Sequence, residues 1–489
     1  MNGPIRKVAA GCMVLVAALL VNVTYVQAFQ AEELNQRSDN RRVLLDEYAR
    51  ERGPILVGDT PVAQSVRTDD EFAYLRQYPS AAIYAPATGY YTIIFGRSAV
   101  ERAENEILAG TDDRLFARRL VDLVTNRERK GGGIRLTLDP AAQQAAFEAL
   151  GDNKGAVVAL DPRTGAILAM VSKPSFDPNP LASHNLAEQQ DAWEALQADD
   201  DKPALNRVIA QTLPPGSVFK IVTAATALES GRYQPESTVP GPAEYDLPQS
   251  TNTLPNQSGE PCGTGAEQLT TLTNALRVSC NTAFAFLGND LGDDALRDQA
   301  ERFGFNAEPM ADEDLNAATS AFPTELDLPQ TALSAIGQFD VRATPLQIAM
   351  VSAGVANGGV VMDPYLVDEI LGPDIVTVLD KTEPEELSRA VSTQTARELT
   401  AMMVEVVEEG TGQNAQMDGI QVAGKTGTAQ TTPDRPPYAW FTSFAPADDP
   451  QVAVAVVVEE APDTARNDIG GGRLAAPIAR DVMAAVLGR

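Results

Sequence analysis

The sequence predicts a mixed α/β sandwich domain, preceded by a small α+β module and one transmembrane helix. An unbroken apolar run lies near the N-terminus, and a β-hairpin pattern lies near residue 160. Further strand-like runs return only near the C-terminus, with helical patterns between, which predicts one sheet built from distant parts of the chain. At 489 residues the chain is also too long for one ordinary domain, so we expect two globular parts.

The apolar run extends over residues 8–29 and is long enough to cross the hydrocarbon core of a bilayer, at about 1.5 Å per helical residue. Arg6 and Lys7 precede the run and two glutamates follow it, so the positive-inside rule places residues 1–7 in the cytoplasm. We therefore expect a single-pass anchor in the cell membrane, with the rest of the chain outside the cytoplasm.

Two further interpretations of the N-terminus remain open. Residues 26–28 (Val-Gln-Ala) are similar to a signal-peptidase site, although the apolar run is longer than a usual signal peptide has. Cys12 ends a sequence similar to a lipoprotein box, but the apolar stretch follows this cysteine instead of preceding it. Both features fit less well than an uncleaved anchor.

Residues 30–132 are predicted to form the small α+β module, a membrane-proximal pedestal. Polar helical patterns alternate there with short β-like runs, such as residues 90–95, which precede a helix-like stretch at residues 101–110. The sequence Lys-Gly-Gly-Gly at residues 130–133 then interrupts both patterns, which predicts the domain boundary between residues 132 and 133.

Residues 133–489 are predicted to form the large domain. A helix is expected after Asp139-Pro140, and a β-hairpin around the turn at residues 161–165. Strands are expected at residues 419–430, 439–444 and 452–459, and a final amphipathic helix at residues 475–487. Together these elements predict one mixed sheet with helices packed on both of its faces.

Charge and composition exclude several classes of function. A net charge of −29 argues against nucleic-acid binding, because a phosphate backbone requires a basic face. The single histidine, His184, excludes a multi-histidine metal site and is predicted to be a loop residue. The three cysteines have no zinc or redox spacing, so we expect neither metal nor cofactor. Outside the cytoplasm Cys262 and Cys280 could pair as a disulfide, with two separate buried thiols as the alternative.

The first chemical motif is Ser217-x-x-Lys220, which follows the helix-stopping sequence Leu-Pro-Pro-Gly. A helix is predicted from Ser217 to a C-terminal glycine at Gly231, so the serine lies at its N-terminal end. A spacing of three places the two side chains on one face, where the Lys220 amine can act as base towards the Ser217 hydroxyl. Alone, the motif is common and serine is an ordinary N-cap residue.

Two further motifs follow. Ser279-Cys280-Asn281 supplies a hydroxyl and an amide that can point into one cleft from a loop, although a helix-start turn would look the same. Residues 425–428 (Lys-Thr-Gly-Thr) begin a predicted strand, along which an extended ligand backbone could pair. There Lys425 would attract a carboxylate, and Gly427 would leave room for the ligand.

The order S-x-x-K, S-x-N, K-T-G is typical of the penicillin-binding protein and serine β-lactamase superfamily. Residues 205–207, 214–217, 337–338 with 344–347, and 424–430 resemble class B penicillin-binding proteins. Residues 50–53 and 96–110 resemble that class's membrane-proximal dimerisation-like module, most closely in the PbpA type of actinobacteria. Ala99 departs from the module pattern, in which a glycine is frequent at this position.

The resemblance implies a penicillin-binding transpeptidase fold and a D,D-transpeptidase that cross-links peptidoglycan stem peptides through an acyl-enzyme on Ser217. It implies that Lys220 takes the Ser217 proton and that Ser279, held by Lys220 and Asn281, relays it. It further implies an oxyanion hole from the N–H groups of Ser217 and Thr428. The carboxylate of the donor peptide would be held by Lys425, Thr426 and Thr428. Because a lysine ionises near a pKa of about 10.4, the base role requires burial and a neighbouring cation to depress the Lys220 pKa.

The implied partners are lipid II-derived stem peptides, β-lactam antibiotics and the cytoplasmic membrane, and further a SEDS-type glycosyltransferase and division proteins in septal wall synthesis. The motifs are also compatible with a serine β-lactamase, and residues 312–316 (Asp-Glu-Asp-Leu-Asn) imperfectly match its E-x-x-L-N loop, with Asp312 in the place of the glutamate. A D,D-carboxypeptidase is a further alternative. A non-catalytic β-lactam sensor or division scaffold that keeps the fold is another, although the intact motifs argue against it.

Overall fold

The computed structural model describes residues 2–27, 48–116, 130–430 and 435–489. Helix α1 (Asn2–Tyr25) contains the apolar stretch Gly3–Tyr25, which has a mean hydropathy of 2.1 and is long enough to cross a membrane. Its side chains are exposed on the protein, as a lipid-facing helix requires. The helix begins before the predicted span at residue 8, and residues 28 and 29 of that span lie outside the described residues.

The module is built from short strands and helices, as predicted for an α+β unit. Its elements in chain order are β1 (Ile55–Val57), β2 (Thr60–Arg67), β3 (Tyr74–Gln77), α2 (Ala81–Thr88), β4 (Tyr91–Thr92), β5 (Gly96–Arg97), α3 (Ala99–Ala103) and α4 (Asn105–Leu108). The β-like run at residues 90–95 forms only a two-residue strand, because Phe95 N–H bonds to Thr92 Oγ1 in a turn. The helix predicted at residues 101–110 is interrupted at Glu104 and gives two short helices.

A fully buried carboxylate, Glu101, holds the module together. Glu101 Oε2 accepts from Arg52 Nε at 2.6 Å, and Oε1 accepts from Arg76 Nε at 2.6 Å and from the Tyr78 hydroxyl at 3.1 Å. Burial alone would raise the pKa of Glu101, but the two guanidinium groups reverse this and lower it. Arg52 and Glu101 belong to the two stretches on which the resemblance of the module rests, so those stretches encode a buried ion-pair network.

The first part of the large domain contains the predicted helix and hairpin. Its elements are β6 (Gly133–Leu136), α5 (Pro140–Leu150), β7 (Lys154–Leu160), β8 (Ile167–Lys173), α6 (Asn179–Ala182), α7 (Leu186–Ala198) and α8 (Arg207–Ala210). Asp139 caps α5 by accepting from Ala142 N–H, and Pro140 occupies the first turn, where its missing N–H costs nothing. The hairpin β7–β8 is antiparallel, as predicted.

The middle of the domain is mainly helical and the last part returns to strands. The elements are α9 (Lys220–Glu229), β9 (Thr238–Pro240), β10 (Glu244–Asp246), β11 (Thr253–Pro255), β12 (Leu269–Thr271), α10 (Leu272–Arg277), α11 (Asn281–Leu291), α12 (Asp293–Arg302), α13 (Leu328–Ser334), α14 (Pro345–Ala356), β13 (Val360–Met362), β14 (Val367–Leu371), β15 (Val378–Lys381), β16 (Glu386–Arg389), α15 (Thr393–Glu408), β17 (Ala423–Ala429), β18 (Tyr438–Ala445), β19 (Val452–Glu460) and α16 (Ala476–Val486).

The central sheet has the strand order β17-β18-β19-β7-β8 and is antiparallel throughout. Successive residues of its strands face opposite layers: Val158 belongs to the core that includes α14, and Val157 to the core that includes α5 and α16. The predicted sandwich is therefore confirmed, with the sheet assembled from both ends of the domain. Strand β17, which carries the third motif, lies at the edge of this sheet.

A second sheet joins the module to the large domain. Its strand order is β15-β14-β6-β1-β2-β3, so β6 pairs in parallel with β1 on one side and antiparallel with β14 on the other. The boundary predicted between residues 132 and 133 immediately precedes β6. The module and the hairpin β14–β15 thus share one hydrogen-bonded sheet.

Candidate active site

The first motif lies on a tight turn at the entrance to α9. Residues Gly216–Phe219 form one turn of 3-10 helix, and α9 continues from Lys220 to Glu229. The helix predicted to start at Ser217 therefore begins as a 3-10 turn, in which residues three apart eclipse each other. Ser217 and Lys220 consequently lie on one side of the turn, as their spacing predicted. Gly231, with a φ of 69°, follows the helix end.

Three close contacts fix this nucleophile turn, residues 214–219. Trp440 Nε1–H donates to Pro214 O at 3.0 Å, and Gly216 N–H donates to Gly337 O at 2.9 Å. The turn also approaches Gly337 so closely that a Cβ there would lie 2.2 Å from Gly216 O. The Gly337-Gln338 stretch of the family resemblance is thus explained by the backbone packing behind Ser217.

The Lys220 ammonium group is the centre of a buried cluster. Its Nζ donates to Asn281 Oδ1 at 2.7 Å, to Ser279 O at 2.8 Å and to Ser279 Oγ at 3.3 Å. Lys425 Nζ reaches the same Ser279 Oγ at 2.9 Å and also donates to Thr426 O at 2.9 Å. The structure therefore brings residues from each of the three motifs together around Ser279.

Within the described residues, no hydrogen bond joins Lys220 Nζ to Ser217 Oγ. The Lys220 amine instead donates hydrogen bonds to Ser279 and Asn281, which hold it beside the nucleophile turn. Catalytic hydrogen bonds are often long in a free enzyme and tighten when substrate binds. We therefore expect the direct serine–lysine bond that the motif suggests to form when substrate binds.

Both lysines are fully buried, and burial changes their acidity. The pKa of Lys220 is lowered well below its ordinary value, first by desolvation and second by repulsion from the Lys425 cation. Desolvation lowers the pKa of Lys425 to about 7. The lowered pKa that a lysine base requires therefore has both physical causes expected for it, desolvation and a neighbouring cation.

The second motif is held in an unusual backbone conformation. Ser279 has a φ of 60°, which is uncommon for a residue other than glycine, and Cys280 then caps the N-terminus of α11. A disulfide joins Cys280 to Cys262 on the preceding segment. Asn256 adds a second link to that segment, because its Oδ1 accepts from Thr282 N–H at 3.1 Å. These links surround the strained residue that presents its hydroxyl to both lysines.

The third motif has two faces. Lys425 points to the cluster, whereas the Thr426 hydroxyl lies 2.6 Å from the Thr411 hydroxyl on the opposite face of β17. Thr426, predicted to hold the substrate carboxylate, has its hydroxyl bonded within the protein, whereas Thr428, on the same face of the strand, lines the cavity. Thr411 is a residue that sequence reasoning missed, since no motif connects it to the site.

Gly427 has close protein neighbours in the structure, in addition to the role predicted for it towards a ligand. A Cβ at this position would lie 2.9 Å from Trp440 Cβ, 3.0 Å from Val218 Cγ1 and 3.1 Å from Pro215 O. These neighbours are protein atoms of β18 and of the nucleophile turn. The nucleophile turn packs directly on β17, and this packing by itself favours glycine at residue 427.

A cavity of about 520 Å³ opens beside the cluster. Ser217, Asn281 and Thr428 line it, one from each motif. Its remaining lining residues are neutral amides and apolar side chains, of which only Gln338 and Gln430 belong to the family stretches found in the sequence: Leu254, Pro255, Asn256, Gln257, Leu333, Ile336, Gln338, Phe339 and Gln430. Ser217 thus faces a space large enough for a peptide segment, with the two lysines buried behind its wall.

The features considered for different chemistries lie elsewhere. Glu313, in the stretch similar to a β-lactamase loop, accepts from the N–H groups of Leu366 and Val367 beside β14. Its carboxyl has a pKa raised to about 7 by burial, but it does not line the cavity that contains Ser217. His184 contacts Asp70 and Tyr74 O of the module, in a loop between α6 and α7 as predicted.

A serine on a helix-start turn, two desolvated lysines, a shared second serine and an edge strand define a serine acyltransferase of the penicillin-binding and β-lactamase class. Comparisons with known proteins narrow this class. Residues 155–484 match the penicillin binding protein transpeptidase domain family, and residues 52–134 match the penicillin binding protein A dimerisation domain family.

Full-length relatives agree with these matches. The chain is 48% identical to the peptidoglycan D,D-transpeptidase PbpA of Mycolicibacterium smegmatis, over 100% of this chain and 99% of that protein. It is 45% identical to PbpA of Mycobacterium tuberculosis, with the same coverage. A solved structure of penicillin-binding protein A from M. tuberculosis as a ceftriaxone acyl-enzyme complex has a TM-score of 0.86, at 44% identity, covering 91% of this chain and 100% of that one.

The chain belongs to the class B penicillin-binding protein family of D,D-transpeptidases and is of the PbpA type. The family resemblance predicted from the motifs is therefore confirmed, and so is the assignment as a transpeptidase. The N-terminal module is confirmed as the dimerisation module of that family.

Proposed function

We propose that this protein cross-links peptidoglycan by transferring the acyl group of a donor stem peptide to Ser217 and then to an amine of a neighbouring stem. The observation that carries the proposal is the cluster around Ser279, in which desolvated Lys220 and Lys425 stand behind a cavity lined by Ser217. The cavity supports a peptide substrate, and the depressed lysine pKa supports base chemistry.

In the acylation step, Ser217 Oγ attacks the carbonyl carbon of the penultimate D-alanine. Neutral Lys220 takes the hydroxyl proton as the C–O bond forms, and the C–N bond to the terminal D-alanine then breaks. Ser279 Oγ, which contacts both lysines, is placed to relay a proton to the departing amine. The acceptor amine reverses these steps: it attacks the ester, loses a proton and restores the Ser217 hydroxyl.

The developing oxyanion would be stabilised by the backbone N–H groups of Ser217 and Thr428, which flank the same cavity. The carboxylate of the donor would contact the Thr428 hydroxyl in the field of Lys425. We do not assign Thr426 to substrate, since its hydroxyl is bonded to Thr411. β-Lactams would react with Ser217 by the same attack and leave a stable ester.

A labelled penicillin tests the proposal directly. Wild-type protein is expected to acquire one adduct on the tryptic peptide that contains Ser217, and Ser217→Ala none. Purified protein given a donor stem and a labelled acceptor amine is expected to incorporate the label, and Lys220→Met to abolish it. Rapid multiple turnover of a chromogenic cephalosporin, or exclusive release of hydrolysed donor, would instead favour a β-lactamase or a carboxypeptidase.

We further propose that α1 anchors the protein with residue 1 in the cytoplasm and the catalytic domain outside. The charge distribution around α1 supports this orientation. A role in septal wall synthesis beside a SEDS-type glycosyltransferase rests on the family resemblance alone. Protease protection of intact cells tests the orientation, and the site of a fluorescent fusion during division tests the septal role.

A further inference from the structure

Three consecutive glycines, Gly470–Gly472, lie between β19 and the last helix. They are not part of the three motifs to which the proposed reaction is assigned. We call this segment the glycine strap. A single π-helical turn, Gly471–Ala475, follows its first residue and leads into α16. Such turns are rare and are found frequently at functional sites. The strap crosses β17 and β18 at Gly427 and Trp440, next to the nucleophile turn.

The contact at Gly471 is made between backbones. A Cβ on Gly471 would lie 1.9 Å from Trp440 O, 2.6 Å from Gly427 O and 3.0 Å from Gly427 N. A flexible side chain can rotate away from such a contact, but a strand backbone cannot. One of the two segments must therefore move by about 1 Å before the contact with Trp440 O reaches 3.0 Å.

Conformational freedom does not explain this glycine. Gly471 is not among the glycines with positive φ, so an L-residue can adopt its backbone conformation. Gly470 is extended, with φ −168° and ψ 149°, and a Cβ there would meet only Thr428 Oγ1, at an ordinary 3.8 Å. The steric requirement is thus confined to Gly471 and to Gly472, whose Cβ would approach Thr411 O at 2.3 Å.

Gly427 is clamped from both sides. The strap covers its amide and carbonyl, while Val218 Cγ1 and Pro215 O of the nucleophile turn lie 3.0 and 3.1 Å from where its own Cβ would be. Strap, strand and nucleophile turn are therefore stacked closely on one another. A displacement of Gly427 would therefore move Thr428, which follows it in β17, and press on Pro215 and Val218, which flank Ser217.

We propose that Gly471 is a positioning residue of the acyl transfer: it holds Gly427 against the nucleophile turn and thereby sets the separation of the Ser217 and Thr428 N–H groups. This inference rests on the proposed function of those two groups as oxyanion donors. A shift of about 1 Å in a catalytic group costs on the order of 100-fold in rate. Because the oxyanion forms only in the transition state, the loss is expected in the chemical step and not in binding.

The test compares Gly471→Ala with Gly470→Ala in the full-length chain in detergent micelles. Acylation by a fluorescent penicillin is followed over a range of concentrations, which separates the maximal rate k2 from the non-covalent constant K. Gly471→Ala is expected to lower k2 by about 100-fold with K changed less than about threefold. Gly470→Ala is expected to stay within about twofold of wild type, because its methyl group makes only an ordinary contact.

Active-site titration with excess penicillin distinguishes positioning from loss of fold. If every Gly471→Ala molecule that is acylated reacts at the wild-type k2, the residue is only structural and the inference is wrong. Equal k2 for the two alanine variants overturns it as well. If wild type itself gains no adduct on Ser217, the proposed function fails together with the inference, whereas acylated wild type with an unimpaired Gly471→Ala removes the inference alone.

A second variant keeps the inference testable if Gly471→Ala folds poorly. Removing the Val218 methyl groups gives Gly427 room to retreat from the new methyl group at residue 471. The double variant Val218→Ala/Gly471→Ala is therefore expected to fold and still to show the reduced k2, compared with Val218→Ala alone. A k2 equal to that of Val218→Ala would overturn the inference.

Discussion

Replacing Asn281 by aspartate tests whether a neutral Lys220 is the base. Asn281 Oδ1 accepts from Lys220 Nζ at 2.7 Å, and aspartate has nearly the same shape. The substitution therefore places a negative charge on the amine with little change in packing. A carboxylate favours the ammonium form, so it opposes the desolvation and the Lys425 repulsion that lower the Lys220 pKa.

The magnitude follows from Coulomb's law. At a separation of 2.7 Å and an effective dielectric constant of about 20, the attraction is about 6 kcal/mol, equivalent to roughly 4 pKa units. Desolvation of the new carboxylate reduces this gain. Even about 2 units would lower the neutral fraction of Lys220 about 100-fold wherever wild-type Lys220 is mostly protonated.

The assay is the rate constant k2/K for acylation by a fluorescent penicillin between pH 6 and 10. A neutral base loses activity as pH falls through its pKa, so the acid limb of the profile reports the lysine pair. Asn281→Asp is expected to react about 100-fold more slowly on that acid limb and to recover as pH rises, with the limb moved upward by about 2 units or more.

Asn281→Ala is the control. It removes the same acceptor, and also the Asn281 Nδ2–H bond to Pro255 O, without adding charge, so its acid limb is not expected to move upward. If Asn281→Asp keeps the wild-type acid limb, then deprotonation of Lys220 does not limit acylation. The assignment of Lys220 as the base would then have to be abandoned.

Three further substitutions test the surrounding structure. Glu101→Gln removes the buried carboxylate that Arg52 and Arg76 share and is expected to lower the unfolding free energy by about 3–5 kcal/mol, whereas exposed Glu148→Gln leaves thermal unfolding unchanged. Similar melting of the two variants contradicts a stabilising network. Cys262→Ser is expected to lower the unfolding free energy by about 2–5 kcal/mol and, because the disulfide supports Ser279, to lower the k2 for acylation as well. Cys12→Ser, which removes a cysteine outside the disulfide, is the control. An unchanged k2 in Cys262→Ser would mean that the disulfide only stabilises the fold. Thr428→Val is expected to weaken non-covalent penicillin binding, measured by K, about tenfold, as for one lost hydrogen bond to a charged group. Thr426→Val is expected to leave K unchanged, because the Thr426 hydroxyl is bonded to Thr411. The reverse result would make Thr426 the carboxylate contact.

Local spacing was sufficient to predict each motif and its element. Ser217 and Lys220 are three residues apart on one turn, and Asp139-Pro140 and the turn at residues 161–165 start a helix and a hairpin by chemistry that lies within a few residues. Composition alone gave a wrong prediction where the same residues fit a strand and a turn equally well. Residues 90–95 have strand composition, but Thr92 accepts the Phe95 N–H and closes a turn.

The remaining features depend on contacts between distant residues. The glycine strap is visible in the sequence as three adjacent glycines, yet its partners Gly427 and Trp440 lie far from it along the chain. Thr411 bonds to Thr426 through a packing contact that has no motif. Strand periodicity predicts that Lys425 and Thr426 face opposite ways and that Thr426 and Thr428 face the same way, whereas the bond between Thr426 and Thr411 depends on tertiary packing.

The protein buries cations in two places, and the partners decide what each group of cations can do. In the module, Arg52 and Arg76 share the Glu101 carboxylate, so each guanidinium group contacts a negative charge and the pKa of the carboxyl is lowered. In the site, no described carboxylate contacts Lys220 or Lys425, whose acceptors are neutral oxygens.

Neutral acceptors stabilise the ammonium form less than a carboxylate does, so desolvation dominates and both lysine pKa values fall. An amide at Asn281 can orient the Lys220 amine without locking it in its protonated form, whereas an acid would make the cluster resemble the module's ion pairs. The amide in S-x-N is thus a requirement of base chemistry, and the aspartate substitution converts a reactive cluster into a structural one.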